Sequence, residues 1–402
     1  MPLEAAAGRP GLYVLHVERR QAELPLLRLG IAAGTAERSI LVPALASTDY
    51  LVSVPNTARF TVDDAEASAL TIRRAGLLDR LRSIERPRVS RPIRLAVDGI
   101  AIRPLLRGTG AEGRALAKAM RVLTRWGFGL ASANLQQTPE LLFDHDTASE
   151  MHPPLLPAGE PRFVIVLHLY YEDLWPEFEH FLSRIRLPFR LIITTPHGAP
   201  IFADAARRAF PSARIATLPN RGRDVAPFLH LLNEGAFDGF EFVLKLHGKR
   251  TAITRHHGAL GHVWRRASII DLAGSDETIR RILARFAADP SIGMIGSARF
   301  RAPGSAVPEQ AAWGANRAAI LALTKRIGLG EISHLDYFAG TMFWVRRKAL
   351  EPLRRLNLSD ADFPEEQGQR DGELHHALER LFGTLPGLSG MRLESVPPRL
   401  ET

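Results

Sequence analysis

Apolar and polar positions divide this chain into two parts with different patterning. From Arg162 onward, short and nearly continuous apolar runs alternate with segments whose apolar residues recur every three or four positions. The first pattern suits strands buried on both faces and the second suits helices with one apolar stripe. Strands are expected over 163–169, 189–194, 215–218, 242–246, 292–295 and 338–345. Helices are expected over 174–185, 201–210, 225–232, 276–288, 348–356 and 373–382. Strands spaced by helices of about three turns predict a doubly wound, mostly parallel sheet.

Before that point the same reading gives strands over 12–17, 40–42, 50–54 and 93–102, with helices over 63–84 and 112–126. Thr61-Val62-Asp63-Asp64 is read as a capping box that opens the first of these helices. The Pro-rich stretch His152-Pro153-Pro154-Leu155-Leu156-Pro157 reads as a linker. The expected fold class is therefore α/β, with a smaller α/β domain over 1–156 and a larger one over 157–402. Gly108-Thr109-Gly110-Ala111-Glu112-Gly113 matches the dinucleotide fingerprint. The preceding strand ends several residues too early for the tight turn, and Asn134 stands where a ribose-binding acid belongs, so it reads as a glycine loop.

Composition narrows the chemistry. The 402 residues are 46% hydrophobic and 24% charged, ordinary values for a globular protein, and cysteine is absent. That excludes disulfides, thiolate metal sites and a cysteine nucleophile. The net charge is +9, carried almost wholly by arginine, since lysine occurs only at Lys118, Lys245, Lys249, Lys325 and Lys348. A basic balance suits an anionic partner, either substrate phosphates or a membrane face. The cations are spread rather than interleaved with aromatics, which argues against nucleic acid. Met1 to Pro10 lacks the features of a secretory signal, and no stretch has the length of a membrane span. The expectation is a cytoplasmic protein, peripheral to the inner membrane at most.

The richest chemistry lies where the strand Phe242-Val243-Leu244-Lys245-Leu246 runs into His247-Gly248-Lys249, soon after the loop Asn220-Arg221-Gly222-Arg223-Asp224. Open α/β sheets bind ligands beyond the carboxyl ends of their strands, so both loops are expected at one crevice. Paired arginines and a lysine there suit a diphosphate, and hence a nucleotide-linked substrate.

Seven ordered blocks then resemble the rhamnan synthesis protein F family over about 162–392. They include His168-Leu169-Tyr170-Tyr171-Glu172-Asp173-Leu174, Asn220 to Phe228, Val243 to Lys249, Trp264-Arg265-Arg266, Gly293 to Gly296, Ala339 to Trp344 and Asp371 to Arg380. The resemblance implies a glycosyltransferase of cell-surface polysaccharide assembly, with dTDP-L-rhamnose as donor and a growing, lipid-linked glycan as acceptor. The block order is similar to that of inverting GT-A glycosyltransferases, in which a strand ends in a metal-binding pair of aspartates. Here His247-Gly248-Lys249 stands in that place, and cations neutralise a leaving diphosphate without a metal. No cofactor is expected beyond the donor, and Mg²⁺ or Mn²⁺ is not favoured.

In that frame Lys249 is assigned to the diphosphate and His247 to a phosphate oxygen. Asn220, Arg221 and Arg223 belong to the phosphate-binding loop, and Asp224 either holds a ribose hydroxyl or base, or caps the following helix. Asp371 is the candidate general base or else a helix cap, with Glu365 and Glu366 as rivals for the base. The family pattern points to His376 as a substrate contact and helix geometry to His375, four residues past Asp371, although His375 otherwise reads as surface. Tyr170, Trp264, Arg265 and Trp344 are candidates for sugar stacking, and His168 belongs at the crevice by the strand-end rule. The alternative reading is a non-catalytic glycan-binding or scaffold protein of the same assembly.

Overall fold

The computed structural model describes residues 3–19, 26–34, 36–43, 47–62, 67–79, 95–97, 99–105, 162–249, 258–303, 309–330, 332–368 and 371–396. The chain forms two compact units, one of residues 1–146 with 250–266 and 402, the other of 147–249 with 267–401. Each is described by itself.

The described strands of the first unit are β1 (Leu3–Ala7), β2 (Gly11–Arg19), β3 (Leu26–Ala33), β4 (Ala36–Pro43), β5 (Ser47–Val54), β6 (Ala58–Val62), β7 (Ala67–Arg74), β8 (Leu95–Val97) and β9 (Ile100–Leu105). They pair antiparallel in two sheets, ordered β1-β6-β3-β4 and β7-β2-β5-β9-β8. Leu15, Val17, Val52 and Ile102 from one sheet and Ile31 and Phe60 from the other share one buried core. Within the helix expected over 63–84, the described residues 67–79 form β7, followed by helical residues at 77–79. The reason is period: Leu70 and Ile72 alternate with Thr71 and Arg73, which suits a strand paired on β2, and Thr61 of the supposed capping box lies inside β6. The strand expected over 93–102 is instead the hairpin β8–β9, turned at Gly99 with φ +81°. The glycine loop, the helix over 112–126 and the Pro-rich stretch lie outside the described residues.

The second unit is built on one seven-stranded sheet. Its strands are β10 (Phe163–His168), β11 (Phe189–Thr195), β12 (Arg214–Thr217), β13 (Phe242–His247), β14 (Ile292–Ser297), β17 (Phe343–Arg346) and β18 (Arg392–Val396). The order is β12-β11-β10-β13-β17-β14-β18, and only β17 runs antiparallel to its neighbours. A small ladder of β15 (Arg301–Ala302) and β16 (Tyr337–Phe338) stands apart. β10 and β13 are apolar on both faces because they lie in the middle of the sheet, buried from above and below.

Helices α1 (Trp175–Leu182), α2 (Pro200–Ala209), α3 (Val225–Asn233), α4 (Gly258–Ala273, of which residues 267–273 belong to this unit), α5 (Asp276–Ala288), α6 (Arg317–Ile327) and α7 (Leu374–Leu381) complete the picture. Each buries its apolar stripe, as α1 does with Phe178, Phe181 and Leu182. α5 starts where Ser275 accepts a 3.2 Å hydrogen bond from the Thr278 amide, with Asp276 and Glu277 in the first turn. The strand expected over 338–345 is cut in two, because Gly340 and Thr341 both adopt left-handed backbone, at φ +83° and +51°. The helix expected over 348–356 is a 3-10 turn, Arg347–Leu350, followed by the single turn Glu351–Arg354. No described helix is long and apolar enough to cross a membrane.

Candidate functional site

The parallel register sets His168 beside Thr194 on one side and beside His247 on the other, at the carboxyl ends of β10, β11 and β13. His168 Nδ1 lies 2.9 Å from Thr194 Oγ1, and the Gly248 amide donates to the His168 carbonyl at 2.8 Å. The strand-end rule thus brings His168 and His247 together.

Two residues before His247, Lys245 is 1% exposed. Its ammonium is ion-paired with Asp224 Oδ2 and donates to the Thr341 hydroxyl at 2.9 Å and the Thr341 carbonyl at 3.2 Å. Thr341 Oγ1 also donates to Asp224 Oδ2, and the Phe228 ring lies 5.6 Å from the ammonium. Burial works to raise the Asp224 carboxyl, but the neighbouring His247 and the Lys245 ammonium, with the hydrogen bonds from Lys245 and Thr341, outweigh it and hold the group well below the usual range. Asp224 occupies the N-cap position of α3 without capping it through its side chain, so the helix-cap reading gives way to this buried clamp.

The clamp joins two left-handed turns, Gly222-Arg223 and Gly340-Thr341. Gly222 has φ +59°, and a Cβ there would lie 2.5 Å from the Phe363 ring, so only glycine fits. Arg223 and Thr341 adopt φ +53° and +51° without being glycine, each at a cost of about 1–2 kcal/mol. A strained turn on each side of one buried ion pair fixes where the Arg223 side chain projects.

Around this base stand the other cations. Arg223 pairs with Glu366 at 3.0 and 3.3 Å and lies 3.3 Å from His376 Nε2. Arg221 pairs with Glu365 at 2.9 Å and donates to the Phe363 carbonyl at 2.8 Å. Lys249 is half-buried; desolvation pushes its ammonium down, opposed by Glu379 and Asp224, while Arg223 adds to the lowering. Glu379 accepts from the Gly340 amide at 2.6 Å. Lys249, Arg223, Asp224, His247, His168 and His376 therefore belong to one electrostatic cluster.

The histidines are held neutral. Burial pushes His168 to about 3 and His247 to about 4. His247 Nε2 is 2.6 Å from the Gly340 carbonyl and must donate to it, so its other nitrogen carries a lone pair. The one N–H of the neutral ring is thus committed to Gly340, and the phosphate contact expected of His247 calls for the protonated ring. His375 is 4% exposed rather than on the surface, because it sits in the first turn of α7 packed on His376, ring centroids 4.1 Å apart.

Asp371 does not cap α7, whose N-cap is Glu373. Its carboxylate accepts from the Ala315 amide at 2.9 Å, from Asn316 Nδ2 at 2.5 Å and from Arg380 Nη2 at 3.1 Å. Burial alone would raise this group; the Ala315, Asn316 and Gly372 hydrogen bonds and the Arg380 charge bring it below the usual range. Trp344 is wholly buried, donates to the Leu272 carbonyl at 2.9 Å and packs edge-on to Phe163 at 5.1 Å. That makes it a core residue and corrects the stacking role expected of it. Tyr170 is half-buried and packs edge-on to Tyr171 at 4.8 Å and to exposed His197 at 5.1 Å. Asn220 is exposed; Trp264 and Arg265 lie on α4, half-buried and buried respectively.

Lys245, Thr341 and Glu379 were not anticipated as site residues. One signal for Lys245 was present, a charge in the middle of an otherwise apolar strand, since such a side chain needs a buried partner. Among the described residues no group of three or more histidine, aspartate or glutamate side chains is placed to hold a metal ion.

A mostly parallel sheet with this polar cluster at its strand ends defines a mixed α/β protein. The chain belongs to the rhamnan synthesis protein F family, whose profile matches residues 132–390. Two relatives from Xanthomonas campestris pv. campestris, strains B100 and ATCC 33913, each described as uncharacterized protein WxcX, are 34% identical over 242 residues. The match covers 60% of this chain and 33% of each relative, so the chain spans about a third of the length of the curated relatives it matches. Among solved structures, 4-diphosphocytidyl-2C-methyl-D-erythritol synthase matches 60% of this chain and 89% of its own at 11% identity. Its TM-score of 0.29 is too low to carry an argument.

Proposed function

We propose that the second unit is a GT-A-like, inverting glycosyltransferase domain that moves L-rhamnose from dTDP-L-rhamnose to a growing, lipid-linked surface glycan. The observation that carries this reading is the strained, clamped loop that presents Arg223 beside Lys249 past the end of β13. Fixed cations at such a place bind a diphosphate and stabilise the charge that grows on it as the sugar leaves. Because cations rather than paired carboxylates follow β13, the same groups supply that stabilisation without a divalent ion. Exposed Asn220 and the Tyr170–His197 corner supply polar and stacking contacts for the rest of the donor. The reaction takes place at the cytoplasmic face of the inner membrane, with the protein peripheral to it.

A second reading, a non-catalytic glycan-binding or scaffold protein, is favoured by one observation. Asp224, Asp371, Glu365, Glu366 and Glu379 all carry protein hydrogen bonds already.

A thermal-shift screen of nucleotide sugars, run with EDTA and with Mg²⁺, tests the reading. A donor at 100 times its dissociation constant stabilises the native state by about 2.7 kcal/mol. The expected result is a shift with dTDP-L-rhamnose that persists in EDTA and shrinks in Lys249→Ala. A shift that appears only with Mg²⁺ overturns metal independence, and donor binding without transfer to any rhamnoside acceptor favours the scaffold.

A further inference from the structure

Arg221 and Arg223 of the clamped loop are each met by a carboxylate from one segment, Phe363-Pro364-Glu365-Glu366-Gln367-Gly368. Arg223 gives Nε to Glu366 Oε2 at 3.0 Å and Nη2 to Glu366 Oε1 at 3.3 Å, the paired-donor fork with which arginine also grips a phosphate. Arg221 Nη2 donates to Glu365 Oε1 at 2.9 Å, and the two residues face each other in an antiparallel backbone bridge. Two adjacent negative groups opposite two arginines reproduce the charge pattern of a diphosphate.

The two sides of this contact are held unequally. The arginine loop is fixed from beneath by the buried pair of Lys245 and Asp224. The glutamate segment is anchored at Phe363, which is buried and packed on Gly222. Past that anchor Glu365, Gln367 and Gly368 are exposed and Glu366 is half-buried. The side chains of Arg223 and Glu366 are 39% and 19% exposed, so a ligand reaches the pair directly from solvent. Ion pairs of this exposure are weak and give way to a stronger partner.

We propose that residues 364–368 form a strap that competes with the diphosphate for Arg221 and Arg223, Glu366 taking the position on Arg223 that a phosphate needs. This rests on the reading of the crevice as a nucleoside diphosphate site. A diphosphate carries more charge than the two glutamates together and meets Lys249 as well, so it displaces them. A monophosphate carries no more charge than the pair and gains less by the exchange. The strap therefore sets specificity: it keeps singly phosphorylated anions off arginines that would otherwise hold them.

The test is calorimetric titration of dTDP and dTMP into wild type, Glu366→Gln and the double variant Glu365→Gln/Glu366→Gln. Glu277→Gln, at an exposed position on α5, controls for overall charge. Glu366→Gln is expected to bind dTDP about tenfold more tightly, the gain when the binding-competent fraction rises from about one in ten towards one. The gain for dTMP is expected to be larger, so that the preference for dTDP narrows, while Glu277→Gln stays within about twofold of wild type. In wild type, dTDP is expected to speed hydrogen exchange over residues 364–368, where the Gly368 amide donates to Glu366, and to slow it over 221–225. Variants that bind dTDP no more tightly than wild type, or exchange over 364–368 that slows with dTDP, overturn the strap while leaving the diphosphate site intact. Failure of wild type and both glutamine variants to bind dTDP overturns both.

Discussion

Lys245 and Asp224 meet inside the protein as an ion pair, 21 residues apart in sequence and joined through the hydroxyl of Thr341 to a third segment. The lysine comes from the middle of an apolar strand and the aspartate from the start of a helix, so the pair ties the central sheet to the loop that carries Arg223.

Because both charges are desolvated, removing one strands the other. Lys245→Met is expected to cost about 3–5 kcal/mol in urea unfolding, the size found when one partner of a buried pair is deleted. Adding Asp224→Asn should recover more than 1 kcal/mol of that loss. Strictly additive single and double variants would show that the two side chains are not energetically coupled.

Asp371 is expected to matter more for stability than for chemistry. Asp371→Asn keeps the size of the group but presents an amide to the donors of Ala315, Asn316 and Arg380, at a cost of about 1–3 kcal/mol. Rhamnosyl transfer by the folded variant should stay within tenfold of wild type. A loss of a thousandfold with donor binding intact would return the role of base to Asp371.

The buried histidines give stability a defined pH dependence. His168, His247 and His375 have native values of about 3, 4 and 4, all below the ordinary 6.5. The unfolded chain therefore binds more protons between about pH 6.5 and 4, and stability present above 6.5 is lost as pH falls through that window. Each group contributes a slope of up to about 1.4 kcal/mol per pH unit. Urea midpoints measured at pH 7, 6 and 5 should decline before the carboxylates titrate. Equal midpoints at pH 7 and pH 5 would mean that these rings are already solvated.

The sheet was legible because its strands are buried on both faces and so read as continuous apolar runs, as Phe163-Val164-Ile165-Val166-Leu167 does. The strand-end rule then found His168, His247 and Lys249 without knowledge of side-chain packing. Three things were hidden. The segment Ala67–Arg74 carries a strand period inside a stretch with a plausible helix start, and only its pairing on β2 decides between them. Trp344 looks like a ligand platform or a core residue equally well until its neighbours Phe163 and Leu272 are known. The burial of His375 depends on which way the first turn of α7 faces, since a surface and a buried imidazole have the same sequence spacing.

The hydrogen bond from His247 to the Gly340 carbonyl bears on how the crevice responds to its surroundings. With that ring, His168 and His375 all neutral, the cationic character here rests on arginine and lysine alone. The arginines keep their charge through the whole physiological range, whereas desolvation lowers the hold of Lys249 on its proton, so arginine is the pH-independent part of the attraction offered to an anion. Ionic strength is a second variable to which the capture of any anion here responds, since salt screens these cations.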